Sequence, residues 1–258
     1  HFYEMEKFVS SHPGDYRVLE IINPNLGMFT GMKDIWGHEP SCIKRYAEFM
    51  AFTQGRDVND VAEYFAFNKI HPLFSMVRCR YIFSPENNQI NVMELPEPMA
   101  KLELIREYEV IKERDKIFAS MGEPAFDPRK KVILETEPDI KTVKTRNKGY
   151  AKILQEGTDF LTIEAETSEP AILLITDSYS KYWHAQALEG SCQTTYQVMP
   201  ANYILRAIPL SGGHHLLRVE YMPPFYEAGK RISIVTSIIY IGLIAWYITG
   251  LRRKVQHI

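Results

Sequence analysis

The feature that most constrains this chain is its tail, where residues 232–251 run without Asp, Glu, Lys, Arg, His, Asn, Gln or Pro. A helix rises about 1.5 Å per residue, so a run of this length covers about 30 Å, the thickness of a bilayer's hydrocarbon core. Seven Ile, two Leu and one Val in it contribute about −3 to −6 kcal/mol of insertion free energy. The aliphatic hydroxyls of Ser233, Thr236, Ser237 and Thr249 oppose them. Trp246 and Tyr247 sit near one end as an interfacial belt does, with Arg252, Arg253 and Lys254 just beyond and Lys230 and Arg231 at the other end. A buried strand would not run so far, and the core helix of a soluble protein keeps a polar stripe. The tail therefore predicts a transmembrane helix with a short basic end over residues 226–258, and a folded body before it.

The rest of the composition narrows what that body can meet. A net charge of −2 and a pI near 6.5 leave no excess of basic residues to neutralise phosphates, so nucleic acid is not an expected partner. Cys42, Cys79 and Cys192 lie far apart with no CxxC, so neither a zinc knuckle nor a disulfide framework is suggested. The opening HFYEMEKFVSSHPGDY has no initiator Met, basic n-region or apolar h-region, and it reads as a piece of a longer chain. Arg218, Lys230 and Arg231 before the span balance Arg252, Arg253 and Lys254 after it, so its orientation is not set by charge.

Along the body, residues 3–10 have helical spacing and stop at His12-Pro13-Gly14, and residues 16–21 read as a buried strand. After the glycine-rich loop NPNLGMFTGMKDIWGHEP, an amphipathic helix is expected from Pro40 to Gln54, with Ile43, Ala47 and Met50 on one face and Gly55 as its stop. Asp57 reads as the cap of a short helix carrying Val61, Tyr64 and Phe65, and Pro72 as the start of a turn. Strands are expected at 78–83, 90–95, 102–111 and 130–136, a helix at 112–121 and an exposed charged loop at 137–148. From residue 150 the period is that of strands, at 160–165, 171–176, 183–188, 192–198, 203–208 and 216–221, with hairpin turns at Glu189-Gly190 and Ser211-Gly212-Gly213. The fold class is therefore α+β: a mixed α/β domain over 1–128, an antiparallel β-sandwich over 129–225, and the transmembrane helix.

No Walker loop, GxGxxG, GxSxG, HExxH or paired metal-ligand spacing occurs, so no catalytic residue, metal or cofactor is assigned. His214 and His215 are neighbours in a strand and should point to opposite faces, which keeps them from sharing one metal. His38 and Glu39 could serve acid-base chemistry, and a helix start explains them equally well. The densest polar-aromatic cluster is Asp177-Ser178-Tyr179-Ser180-Lys181-Tyr182-Trp183. It reads in two ways. Asp177 with Tyr179 and Trp183 can form a sugar site, because aromatic faces pack on pyranose C–H groups and a carboxylate accepts hydroxyl hydrogen bonds. The favoured alternative is a loop corner, with Trp183 in the sandwich core and Asp177 holding a turn.

The run AILLITDSYSKYWHAQALEG, then ANYILRAIPLSGGHHLLRVEYMPP and the closing span, resembles the C-terminal end of the YfhO family of polytopic bacterial membrane proteins. That family's pattern is a strand, Asp-x-Tyr-Tyr-Pro-Gly-Trp, a turn, Asn-x-x-x-Arg, a turn ending Gly-x-His, and an aromatic strand. Asp177, Tyr179, Trp183, Asn202, Arg206, Gly212 and His214 fit it, whereas Ser180-Lys181-Tyr182 replaces the Tyr-Pro-Gly. NPNLGMFTGMKDIWGHEP, KRYAEFM, IREYEV and FDPRKKVILE also look like the family's extracytoplasmic region. The resemblance implies a bacterial parent protein with many upstream spans, related to glycosyltransferases that use polyprenyl-linked sugars to decorate cell-envelope polymers. It implies a body outside the cell membrane, with substrate-binding candidates Asp177, Tyr179, Trp183, Asn202 and Arg206. The catalytic acidic residue of such enzymes lies in an early loop, so no residue here inherits a catalytic role. The expected partners are the lipid bilayer, the upstream spans and a cell-envelope glycopolymer. The rival readings are a non-enzymatic membrane protein with a protein-binding sandwich, and a tail-anchored cytosolic adaptor.

Overall fold

The computed structural model describes residues 2–21, 25–37, 42–59, 66–87, 89–142 and 149–255. The chain forms two units, a body over 1–220 and a tail over 221–258. The body opens with α1 (Phe2–Ser11), β1 (Arg17–Glu20), the one-turn α2 (Gly27–Thr30), α3 (Lys44–Thr53) and a 3-10 turn (Pro72–Val77). Then come β2 (Cys79–Glu86) and β3 (Gln89–Glu94), an antiparallel hairpin that β1 joins in parallel to make a three-stranded sheet. The expected helix before Pro72, with Val61, Tyr64 and Phe65, lies outside the described residues, as do His38, Glu39 and Pro40.

The packing of α3 is broader than the expected single face, because Glu48 is buried as well, at 2% exposure. Ala47, Phe49, Met50 and Ala51 are buried, while Ile43 at its start is 42% exposed. The helix stops where Gly55 takes a positive φ of 68°, a conformation that costs glycine nothing.

The chain continues through β4 (Leu102–Ile105), β5 (Glu107–Val110), α4 (Arg114–Gly122) and β6 (Lys131–Leu134). β7 (Tyr150–Glu156), β8 (Phe160–Thr167), β9 (Ala171–Ser178) and β10 (Trp183–Ala187) follow. β11 (Thr195–Tyr196), β12 (Met199–Ala201), β13 (Leu205–Leu210) and β14 (Gly213–Tyr221) complete the strands. Two further sheets result, one of five strands in the order β11-β10-β14-β8-β7 and one of six in the order β4-β9-β13-β12-β6-β5.

The six-stranded sheet is the middle of the body. On one side Leu173, Ile175, Ile208 and Leu210 pack on Leu161, Ile163, Leu217 and Val219 of the five-stranded sheet, which makes the β-sandwich. On the other side Ile172, Leu174, Val132, Leu134 and Ala207 pack on Phe49 and Met50 of α3, Ile117 and Phe118 of α4, and Phe74 of the 3-10 turn. β9 and β13 are covered on both faces, so every residue of β13 is buried. This explains the unbroken apolar run ILLI and the run ILRAIPL, apolar but for Arg206, since a strand with no wet face loses its alternation.

Several expected elements change once the pairing is known. The run 102–111 is two strands, not one: β4 pairs with β9 and β5 pairs with β6, at opposite edges of the same sheet. Only Arg106 separates them, so the sheet is rolled until its two edges meet at that residue. The division after residue 128 falls inside this sheet, which takes strands from both sides of it. Ser211-Gly212-Gly213 is not a hairpin turn, because β13 and β14 belong to different sheets. The strand expected at 203–208 starts at Leu205, since Asn202 and Tyr203 have positive φ of 44° and 67°. The run 192–198 keeps only β11, and β7 and β12 had no sequence signal strong enough to assign them.

The tail unit holds α5 (Tyr226–Val255). Its residues Ala228–Ile248 form a helix long and apolar enough to cross a membrane. Ile232, Ile238, Ile241 and Trp246 are all more than 60% exposed on it, the pattern of a helix whose solvent is lipid.

Candidate functional site

The candidate residues converge on the end of β9. Asp177 lies one residue before the end of that strand, and its carboxylate is a hub. Oδ1 accepts from Arg17 Nη2 at 2.6 Å and from Arg78 Nη2 at 2.7 Å. Oδ2 meets Arg206 Nη2 at 3.1 Å and Lys101 Nζ at 3.9 Å. The cations come from β1, the residue after the 3-10 turn, β13 and the residue before β4. One carboxylate thus ties the N-terminal sheet to the sandwich.

The burial of these groups decides what they can do. The side chains of Arg78 and Arg206 are 2% and 3% exposed, and that of Asp177 is 15%. Burial pushes the Asp177 carboxyl up, but Arg17, Arg206, Arg78 and Lys101 together pull it down further, so it stays below its ordinary value. Burial pushes Arg206 down to about 10 against the raising effect of Asp177. Arg78 also reaches Asp15 at 2.7 Å, and Lys101 reaches Glu156 at 2.7 Å. These outer carboxylates offset part of the excess positive charge. The Arg206 guanidinium lies 3.9 Å from the centre of the Trp183 ring, a cation–π contact that takes the place of water for a buried cation.

The remaining candidates divide. Trp183 is half-buried and packs both on Arg206 and against the sandwich core, so it belongs to the cluster. Tyr179 faces Arg45, whose guanidinium lies 5.6 Å from its ring and 4.2 Å from that of Tyr203. Asn202 does not join Asp177. Its Oδ1 accepts from the Ile133 amide at 2.8 Å and its Nδ2 lies 3.4 Å from Met76 Sδ, so the side chain fastens a left-handed turn to β6. Asp177 accepts from arginines and shows no turn-holding bond of its own among the described contacts. Arg17, Arg78 and Lys101 escaped the sequence reading. Arg78 had a signal, a charge inside the apolar run SMVRCRYIF, since an arginine there must be exposed or paired.

Two other titratable groupings stand apart. His214 is exposed and meets Glu164 at 3.2 Å, while His215 is buried with Nδ1 2.7 Å from the Tyr196 hydroxyl and Nε2 2.8 Å from the Ser211 carbonyl. The neighbours do face opposite ways, and no group of three metal-ligating side chains occurs among the described residues. Asp34 accepts amide bonds from Trp36 at 3.0 Å and Glu20 at 3.3 Å. Burial, with nearby Glu20, raises it to about 7 despite those bonds. It lines a cavity of about 390 Å³ with Trp36, Tyr46 and Met28.

No protein-family model, curated protein or solved structure matches the chain.

Proposed function

We propose that the chain is the extracytoplasmic C-terminal part of a multi-spanning bacterial membrane protein of the YfhO kind. In this reading the parent is a glycosyltransferase that uses polyprenyl-linked sugars on cell-envelope polymers. The present part binds or supports the acceptor and performs no chemistry. The observation that carries the division of labour is the saturation of Asp177. Its two oxygens face four cations, and the carboxylate is held ionised, so it acts neither as a proton donor nor as an unhindered nucleophile. The pattern Asp-x-Tyr-x-x-x-Trp with Asn-x-x-x-Arg then marks an architectural joint: Asp177 and Arg206 bond to each other, Trp183 packs on Arg206, and Asn202 fastens the turn just before β13. A membrane-held body with a locked joint at Asp177 suits positioning.

Sidedness is the test. In a chain whose own cysteines are replaced by Ala, an impermeant thiol reagent applied to intact cells should label a cysteine placed at Glu189, an exposed turn, and spare one at Gln256. The reverse pattern would support the cytosolic adaptor and defeat the proposal. A non-enzymatic protein-binding role has one observation in its favour, the 81% and 82% exposure of Met28 and Phe29 on α2. It is favoured if the full-length parent turns over no polyprenyl-linked sugar.

A further inference from the structure

Beside the Asp177 cluster the body carries two hollows that share one wall. The first, of about 750 Å³, is lined by Asp15, Tyr16, Arg80, Met99, Lys101 and Glu103. The second, of about 280 Å³, is lined by Ile70, His71, Pro72, Phe126 and Pro128. Pro96, Glu97 and Arg129 line both, so the segment around Glu97 is a ridge between them. Together they have the size of a site for a ligand of several rings. A ligand that fills both has to be a chain draped over the ridge.

The ridge is fixed before anything binds. Pro96 and Pro98 lock their φ, the Leu95 amide donates to the Arg80 carbonyl at 2.7 Å, and the Met99 amide donates to the Ser75 carbonyl at 3.0 Å. Arg129 donates to the Glu97 carbonyl from the side. A rigid wall lowers the ordering cost of binding. The same facts remove one class of occupant. Two of these residues are prolines, Leu95 and Met99 spend their amides internally, and the Ala100 amide goes to Glu103 Oε1 at 3.2 Å. The ridge therefore lacks the row of amide donors that a peptide needs to add as a strand.

Charge removes a second class. The larger hollow sets Asp15, Glu97 and Glu103 against Arg80, Lys101 and Arg129, an even balance. Most of these already have partners in the protein: Arg78 on Asp15, Glu94 on Arg80 and Glu156 on Lys101. In the smaller hollow, burial and then Lys69 push His71 down, which leaves the ring neutral at pH 7. A polyanion would meet carboxylates wherever it met cations. What remains is a surface of held donors and acceptors interleaved with the apolar faces of Phe126, Pro72 and Pro96. That combination suits hydroxyls and C–H faces presented alternately along one chain.

We propose that these two hollows form one binding groove for an uncharged, linear oligosaccharide lying across the Glu97 ridge. The proposal rests on the binding role given to the body above and adds its site and ligand class. A body found on the cytosolic side by thiol labelling removes that role, whereas an external body that binds no neutral glycan removes only this inference.

The test is calorimetric titration of the whole chain in phospholipid nanodiscs. The probes are hexamers of neutral hexoses and of N-acetylhexosamine, their dimers, an oligogalacturonate of equal length and a proline-rich peptide. At least one neutral hexamer should bind saturably and at least tenfold more tightly than its dimer, because only the longer chain crosses the ridge. Glu97 is exposed and its carboxylate is not used in the described hydrogen bonds, so Glu97→Trp should leave the melting temperature unchanged while weakening the hexamer at least tenfold. Phe126→Ala should weaken it severalfold. Absence of saturable binding by every neutral hexamer, equal or tighter binding of the oligogalacturonate or the peptide, or wild-type affinity in Glu97→Trp would each overturn the proposal.

Discussion

Replacing Asp177 with Asn tests the joint directly. The substitution keeps the shape of the side chain and removes its charge, leaving one oxygen where two had served. Arg17 and Arg78 both use Oδ1 and Arg206 uses Oδ2, so an amide either faces its NH₂ toward the Arg206 Nη2 or turns it on the other two. Arg78 and Arg206 are 2% and 3% exposed, and neither can reach water to recover what it loses. Breaking a buried pair by removing one partner costs about 3 to 5 kcal/mol, against a total stability of about 5 to 15 kcal/mol for a folded domain. For a body of this size each kcal/mol shifts the melting temperature by about 2 to 4 °C, so a fall of about 6 to 20 °C is expected. Thermal unfolding followed by near-ultraviolet circular dichroism reads the body and is blind to the helical tail's backbone. Adding Arg206→Met should return part of the loss, since a well-packed apolar side chain needs no counter-ion. A melting temperature within about 2 °C of wild type for Asp177→Asn, with glycan binding lost, would refute the reasoning and restore Asp177 as a ligand contact.

Trp183→Ala should cost about 3 kcal/mol by denaturant titration, since it opens a partial cavity in the sandwich and strips the face from Arg206; Trp183→Phe should keep most of that. Asn202→Ala should cost about 2 to 4 kcal/mol in the same measurement, from the orphaned Ile133 amide and the positive φ of 44°, and Asn202→Gly about 1 kcal/mol less. Asp34 titrates near 7 when folded and near the ordinary carboxylate value when unfolded. The folded state therefore binds the extra proton between those values, and stability falls as pH rises from about 4 to 7, by about 2 to 4 kcal/mol. Asp34→Asn should flatten that fall, and parallel pH curves for variant and wild type would count against the assignment.

The tail was legible because its signal needs no partner: length and composition alone decide between lipid and water. The strands at 160–165 and 216–221 were legible for a similar reason, since alternation is local, whereas the doubly covered β9 and β13 showed as largely apolar runs. What failed was whatever depends on distant contacts. Leu102, Leu104, Tyr108 and Val110 alternate with Glu103, Glu107 and Glu109, and the one local break is the swapped pair Ile105-Arg106, which does not report that β4 and β5 leave for different neighbours. The run ANYILRAI reads as strand because its side chains are apolar, and the positive φ at Asn202 and Tyr203 exists only because β6 supplies an amide for the turn to grip. The hub was half legible. Asp177 stood out beside its aromatics, but Arg17 and Arg78 lie 160 and 99 residues away, and which cations would converge on it is a property of the folded sheet.

The rolled sheet has a consequence for how the chain is made. β4 has no strand partner until β9 has been synthesised, and β6 meets β12 only after Met199–Ala201 has emerged. β4 and the β12-facing edge of β6 must therefore wait without strand partners until the ribosome has passed β13. α5 begins soon afterwards at Tyr226. Closure of the body and delivery of the apolar helix to a membrane are consecutive events in synthesis, and a chain released before about residue 210 presents two unmatched sheet edges to its neighbours and is a substrate for aggregation and proteolysis.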